Sequence, residues 1–168
     1  MVEWIIALGI GGLLLAVIAA FSLYSARSFV TLGNYTDLDG QSRLAVDRMG
    51  QEIREASQVV SYTPQKITIQ LGATQVSYAY LADQRVLARQ VGLQSRTLLK
   101  GCDYARFDIY QRQATNTEWQ ATPTYPTATA ATAKIVQLTW NCSRDILGRK
   151  ANTEAQQSAR IVIRKQAK

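Results

Sequence analysis

Three groups of residues in this sequence could do chemistry. Glu3 is a carboxylate at the edge of residues 4–26, a run without one Asp, Glu, Lys or Arg. An ionisable group at membrane depth costs about 2.5–3.5 kcal/mol unless it is paired. Glu3 therefore either rests solvated in a headgroup layer or needs a cation that its own segment does not carry. Cys102 and Cys142 are the only cysteines; they are either a disulfide, which belongs to an oxidising compartment, or two buried free thiols. Arg144, Arg149, Lys150, Arg160, Arg164, Lys165 and Lys168 crowd the carboxyl-terminal quarter of a chain with a formal net charge of +7. Such a patch can meet acidic partners, hold nucleic acid, or guard an edge strand against unwanted pairing. Aromatic residues are sparse around it, Trp140 aside, which favours the guard over a single-strand platform.

What is missing narrows the classes further. The chain has no histidine, which removes the imidazole-based nucleophile pairs and nearly every structural zinc site. Asp103 with Asp108, and Asp145 with Glu154, are the nearest approach to a calcium-binding pair, but neither has the dense Asp/Asn/Gly spacing of a calcium loop. They read as solvated acids. No nucleophile has a candidate base, so no catalysis, metal or cofactor is expected.

The elements that must position these residues begin with residues 1–26. As a helix, residues 4–26 span about 34 Å, enough to cross a hydrocarbon core of about 30 Å. A cleavable secretion signal fits worse, because a basic leading region is missing and the apolar run is too long. Gly9, Gly11 and Gly12 serve either close helix packing or local loosening. Residues 27–60 keep a helical period, with Leu38, Ser42, Ala45, Met49, Ile53, Ala56 and Val60 on one face. Arg43/Asp47 and Arg48/Glu52 fall on the solvated side, and a break is expected near Gly33-Asn34 or Gly40.

Residues 61–168 read as an antiparallel sheet. Ile67, Ile69 and Leu71 alternate with polar residues, as do Val76, Tyr78 and Tyr80, and Gly72-Ala73-Thr74 between them suits a hairpin. Shorter strands are expected at 86–90 and 96–99, then around Ala105, Phe107 and Ile109, around Val136, Leu138 and Trp140, and at 160–164. Residues 113–133, rich in Thr, Ala and Pro, read as a loop without catalytic groups. The class is α+β, one long helix packed on an antiparallel β-sheet. Cys102 and Cys142 fall at the ends of two strands that would be neighbours.

Val2-Glu3-Trp4-Ile5-Ile6-Ala7-Leu8-Gly9-Ile10 resembles the start of a mature type IV pilin or type II secretion pseudopilin. Residues 42–56, Ser-Arg-Leu-Ala-Val-Asp-Arg-Met-Gly-Gln-Glu-Ile-Arg-Glu-Ala, are similar to the second half of that helix in PilW-like and GspJ-like minor pilins. The resemblance implies a structural subunit whose Glu3 pairs with the amino-terminal ammonium of a neighbouring subunit and sets register. Gly9, Gly11 and Gly12 would let the helix loosen in the filament, since the proline many major pilins carry further on is absent. The implied partners are other minor and major pilins or pseudopilins, the inner membrane before assembly, and prepilin peptidase if a leader lies upstream of Met1. A start placed too far downstream is the expectation, and a basic leader would reconcile the charge following the apolar run at Arg27 with a domain outside the cytoplasm. The β domain is then expected in the periplasm or on the cell surface. The alternative is a single-pass anchored extracytoplasmic binding module that never polymerises.

Overall fold

The apolar run and the amphipathic stretch after it are one object: helix α1, Val2–Glu55, unbroken in a computed structural model that describes residues 1–112, 125–146 and 149–164. The side chains of residues 149–152 are outside the described set. At 1.5 Å per residue α1 is about 80 Å long. The break expected near Gly33-Asn34 or Gly40 does not occur. Ser28, Thr31 and Thr36 in the polar neck donate their hydroxyls to the carbonyls of Tyr24, Arg27 and Leu32 one turn earlier, so this stretch satisfies itself without leaving the helix.

The helix ends at Glu55, short of residue 60. Ala56 turns extended, and Gln58–Thr63 forms strand β1 in place of a last helical turn. The physical reason is composition: Gln-Val-Val-Ser-Tyr-Thr is rich in β-branched and aromatic residues and finds a strand partner. Leu38, Ser42, Ala45, Met49, Ile53 and Ala56 are all buried as the period predicts, whereas Val59 is buried in place of the half-exposed Val60.

Two antiparallel sheets, where one was expected, receive the helix. The first is a five-stranded meander of β1, β2 (Lys66–Leu71), β3 (Thr74–Leu81), β4 (Val86–Val91) and β5 (Gln94–Lys100), in that order. The second holds β6 (Cys102–Tyr110), β7 (Ile135–Ile146) and β8 (Arg149–Val162). The β2–β3 hairpin turns through Gly72-Ala73 as expected, with Gly72 at a φ of +60°. The chain leaves the first sheet at Gly101, whose φ of +67° re-aims β6 so that it pairs with β7 and not with β5. Both sheets turn apolar faces to α1. Ile67, Ile69, Val76, Tyr78, Leu87 and Leu99 from one, and Phe107, Val136, Leu138, Trp140 and Ile161 from the other, join the helical stripe in a single core.

Main-chain bonds stitch the sheets together. The amides of Phe107 and Cys102 donate to the carbonyls of Pro64 and Arg85. The hydroxyls of Tyr62 and Tyr80 donate to the carbonyls of Phe107 and Cys102. The segment expected as a loop at 113–133 is only partly loop: residues 113–124 lie outside the described set, but Thr127 bridges Tyr110, and Thr129 and Thr132 cap a 3-10 turn at Ala130–Thr132 reciprocally. Ala133 is fully buried. Small alanines fit under the core rim, which ties this half of the segment down.

A Cβ added at Gly101 would lie 2.8 Å from the carbonyl oxygen of Ser143, on a backbone that L-residues already disfavour. Gly101→Ala is expected to destabilise the domain by about 2 kcal/mol, read as a lowered thermal midpoint by near-ultraviolet circular dichroism of the detergent-solubilised chain. An unchanged midpoint would refute the role of this turn.

Candidate functional site

The first candidate is the free half of α1. An 18-residue window of this helix has a mean hydropathy of 2.5, with none of it buried by the rest of the chain. Trp4, Ile5, Leu8, Leu13, Leu15 and Phe21 are all exposed, as is Phe29 just beyond. Soluble monomers rarely expose contiguous apolar surface beyond a few hundred Å², which makes this rod a possible membrane anchor. It is long and apolar enough to cross a bilayer.

Glu3 sits in the first turn, where the unpaired N–H groups of the helix favour a negative charge. Among the described residues no ion pair forms to it. The helix is regular through Gly9, Gly11 and Gly12, and a Cβ at any of the three would meet no atom within 4 Å.

The second candidate is the fastening between α1 and the β domain. Arg144 of β7 reaches the helix with Nη2 at 3.2 Å from both Asp37 Oδ2 and Gln41 Oε1, while Nη1 donates to the carbonyl of Lys100. Gln41 in turn donates to Asp37 at 2.8 Å. Next to this clamp, Trp140 Nε1 donates to Ser42 Oγ at 3.3 Å, which explains the one polar residue on the buried stripe. At the far end, Glu52 accepts from Arg89 Nε at 3.0 and 2.9 Å, from Arg48 Nε at 3.3 Å, and from the hydroxyl of Tyr78. Burial pushes the Glu52 carboxyl up, but hydrogen bonds from Arg89 and Tyr78 and the charges of Arg89 and Arg48 outweigh it and hold the group below its ordinary value. Burial, then the bond to Glu52, raises Tyr78 far above the phenolic range, so its hydroxyl stays a donor.

Several sequence expectations change here. Arg144 is part of the fastening and not a free contact cation. Arg48/Glu52 is the rim of a half-buried cluster in place of a solvated pair. Arg43 pairs with Asp39 one turn before it, at 2.9 Å, and not with the Asp47 expected one turn after it. Arg160 donates to Gln137 at 2.7 Å and lies over the Tyr110 ring, and the Arg164 amide caps the Arg54 carbonyl. The side chains of Arg149 and Lys150, and all of Lys165 and Lys168, fall outside the described residues. β8 is an edge strand, the place the guard reading requires.

Cys102 and Cys142 are bonded. They are direct register partners with Cα atoms 3.8 Å apart, and the register of β6 shifts between Cys102 and Tyr104. The acids beside them are engaged: Asp103 binds Arg85 and Ser143, and Asp108 binds Arg106 at 2.8 Å. Asn141 Nδ2 donates to Glu154 at 3.4 Å. Among the described residues no group of His, Cys, Asp or Glu could hold a metal ion.

Residues that sequence reasoning missed are Asp37, Gln41, Tyr78, Arg85 and Arg89. Only Tyr78 had a local signal, as a buried position in an alternating strand; the role of Arg89 comes from standing opposite Tyr78 in register. Comparison with protein-family models, with curated proteins and with solved structures finds no match.

Because the folded Glu52 carboxyl lies below its ordinary value of 4.5, its stabilisation is fully present above that pH and is lost as pH falls through the folded value. Glu52→Gln is expected to cost about 2 kcal/mol at neutral pH and to flatten the acid limb of the stability curve, measured by urea unfolding across that range. A variant retaining the wild-type acid slope would contradict the assignment. Replacing Cys102 and Cys142 together by alanine should cost about 4 kcal/mol in the same measurement, given the sequence separation of 40.

Proposed function

We propose that this protein is a structural filament subunit of the pilin kind, a minor pilin or pseudopilin that helps assemble or cap a type IV pilus-like or type II secretion pseudopilus filament. The observation that carries the reading is the division of labour along one unbroken helix. Residues 4–26 are apolar on every side and bare, while Leu38 to Ile53 bury a single stripe in a β domain. A helix shaped this way can be held in a bilayer and then exchange lipid for neighbouring helices without refolding, because both surroundings are apolar.

In this account the inner membrane stores the subunit before assembly, with the β domain in the periplasm and later at the filament surface. The Cys102–Cys142 bond fits such an oxidising compartment. Glu3 sets register by pairing with an amino-terminal ammonium of a companion pilin; a lone charge among apolar helices penalises any other register. The role is structural and not catalytic, prepilin peptidase acts on the chain if a leader precedes it, and nucleic acid is not the favoured partner of the basic end. The rival is an anchored binding module that does not polymerise.

The test is co-expression with the pilins and assembly ATPase of a type IV pilus or type II secretion system, followed by shearing and immunoblotting of filaments. Wild type is expected in the filament fraction, and Glu3→Gln about tenfold less so, with membrane insertion and the disulfide intact. Wild type that stays in the membrane fraction and cross-links to no companion would favour the binding module and refute the filament reading.

A further inference from the structure

We propose that the open edge of β8 pairs with an extended strand of a different polypeptide, which is thereby added to the second sheet. The register fixes which way the main chain of β8 points. Thr153 to Val162 stand opposite Arg144 to Ile135 without a shift, and the Ile163 amide donates to the carbonyl of Lys134 in the same register. Along a strand the N–H and C=O groups turn to alternate sides. Those of Ala159, Ile161 and Ile163 therefore face β7, and those of Glu154, Gln156, Ser158, Arg160 and Val162 face outward. The Arg164 amide follows the same alternation, turning away from β7 to donate to the carbonyl of Arg54 on α1 at 3.1 Å. Among the described residues the outward groups from Glu154 to Val162 have no such partner.

The other sheet edges are short, irregular or covered. β5 is shorter, carries Arg96 and Lys100, and its ladder with β4 shifts register between Leu87 and Ala88. β1 shifts register between Val59 and Ser61 and packs against the 3-10 turn. The outer side of β6 is taken: its Cys102 and Phe107 amides bond Arg85 and Pro64, and Thr127 bridges Tyr110. These are the devices by which sheets avoid stray pairing. From Thr153 to Val162, β8 has no proline, glycine or register shift. Arg160, the cation of this stretch, leans back across the sheet to Gln137 and the Tyr110 ring and leaves the edge bare. What satisfies such a row of donors and acceptors is another extended main chain.

The surroundings select the strand. A groove of about 470 Å³ runs between α1 and β8, with Val46 and Gly50 on one wall and Ala159 and Ile161 on the other. In an added antiparallel strand the residues opposite Ala159 and Ile161 enter this groove and are apolar, while those between them share the exposed outer face with Glu154, Ser158 and Arg160. The site ends at Arg164, where α1 itself takes the edge. A second copy of this chain is the wrong partner. α1 and β8 run in the same direction, since Gly50 is beside Ile161 and Arg54 meets Arg164. An antiparallel β8–β8 pair aims two α1 rods in opposite directions, which one membrane cannot hold, so the exclusion of a second copy rests on reading residues 4–26 as the membrane-held half of α1.

The experiment takes the full chain in detergent micelles and adds about 1 mM of the peptide Thr-Val-Glu-Val-Thr-Val-Thr-Val-Lys, which sets valines opposite Ala159 and Ile161, Glu opposite Arg160 and Lys opposite Glu154. Hydrogen exchange is read residue by residue by NMR. Without peptide, the Ser158, Arg160 and Val162 amides are expected to exchange at least about a hundredfold faster than those of Ala159, Ile161 and Ile163. Peptide should slow the outward set at least about tenfold, and the same peptide N-methylated at its β8-facing amides should not. Gln156→Pro, which deletes one outward N–H and spares the β7 ladder, should weaken peptide binding at least about tenfold. No slowing by the unmodified peptide overturns the site. Equal slowing by the N-methylated peptide, or unchanged binding by Gln156→Pro, overturns main-chain pairing. Slow outward amides without peptide overturn the open edge, and protection that falls on dilution assigns it to a second copy. Flotation with phosphatidylcholine vesicles tests the anchor separately: a chain that pairs with the peptide but does not float overturns the membrane reading and leaves the open edge standing.

Discussion

One helix has to satisfy two surroundings, and the contact that allows this is the stripe from Leu38 to Ile53 against the two sheets. The amino-terminal half of α1 contributes nothing to the fold of the β domain, since none of its apolar window is buried there. Everything that gives the rod a direction must come from its second half. Four turns of buried Leu, Ala, Met and Ile bind the helix by apolar burial, at roughly 25 cal/mol per Å², but burial has no preferred direction along the axis. A helix seated on a smooth apolar face could slide or rotate by a turn.

Polar contacts at both ends of the stripe remove that freedom. Arg144 grips Asp37 and Gln41 at one end, and Arg89 with Tyr78 grips Glu52 at the other. Each cluster is partly shielded from water, so a slip would strand charges that have already lost hydration. Ser42 adds the same logic inside the core, because any shift leaves the Trp140 N–H unsatisfied. The sheets in turn hold the clamps in place. Gly101 lets the chain pass from one sheet to the other, and the disulfide at Cys102 and Cys142 secures the same junction from which Arg144 extends. The β domain and the second half of the helix are thereby fastened at both ends of the buried stripe.

The class and the outline were legible in the residues. Periodicity placed the buried face of α1 correctly because a helical period is local and the stripe is long. Alternation placed β2, β3, β6 and the first half of β7 for the same reason, whereas β8 was read only at 160–164 although it begins at Arg149, and β1 was masked by Val60 landing in helical phase with Ile53 and Ala56 while Val59 was the residue to be buried. The glycines at 33 and 40 suggested a break that does not happen, since an isolated glycine costs a helix only about 1 kcal/mol and the neck satisfies its own hydroxyls.

The sequence by itself determined an apolar segment of membrane length, a lone carboxylate at its edge, an amphipathic continuation and a β-rich remainder with two cysteines. These follow from composition and short-range period, which any chain carries before it folds. Only the tertiary structure decided that the strands divide into two sheets, that Arg144 faces inward to the helix, that Glu52 joins Arg89 and Tyr78, and that the β7–β8 hairpin points along α1 towards its apolar half. Each of those depends on register between residues far apart in the chain, and register is set by how whole faces pack, not by any residue's neighbours in sequence.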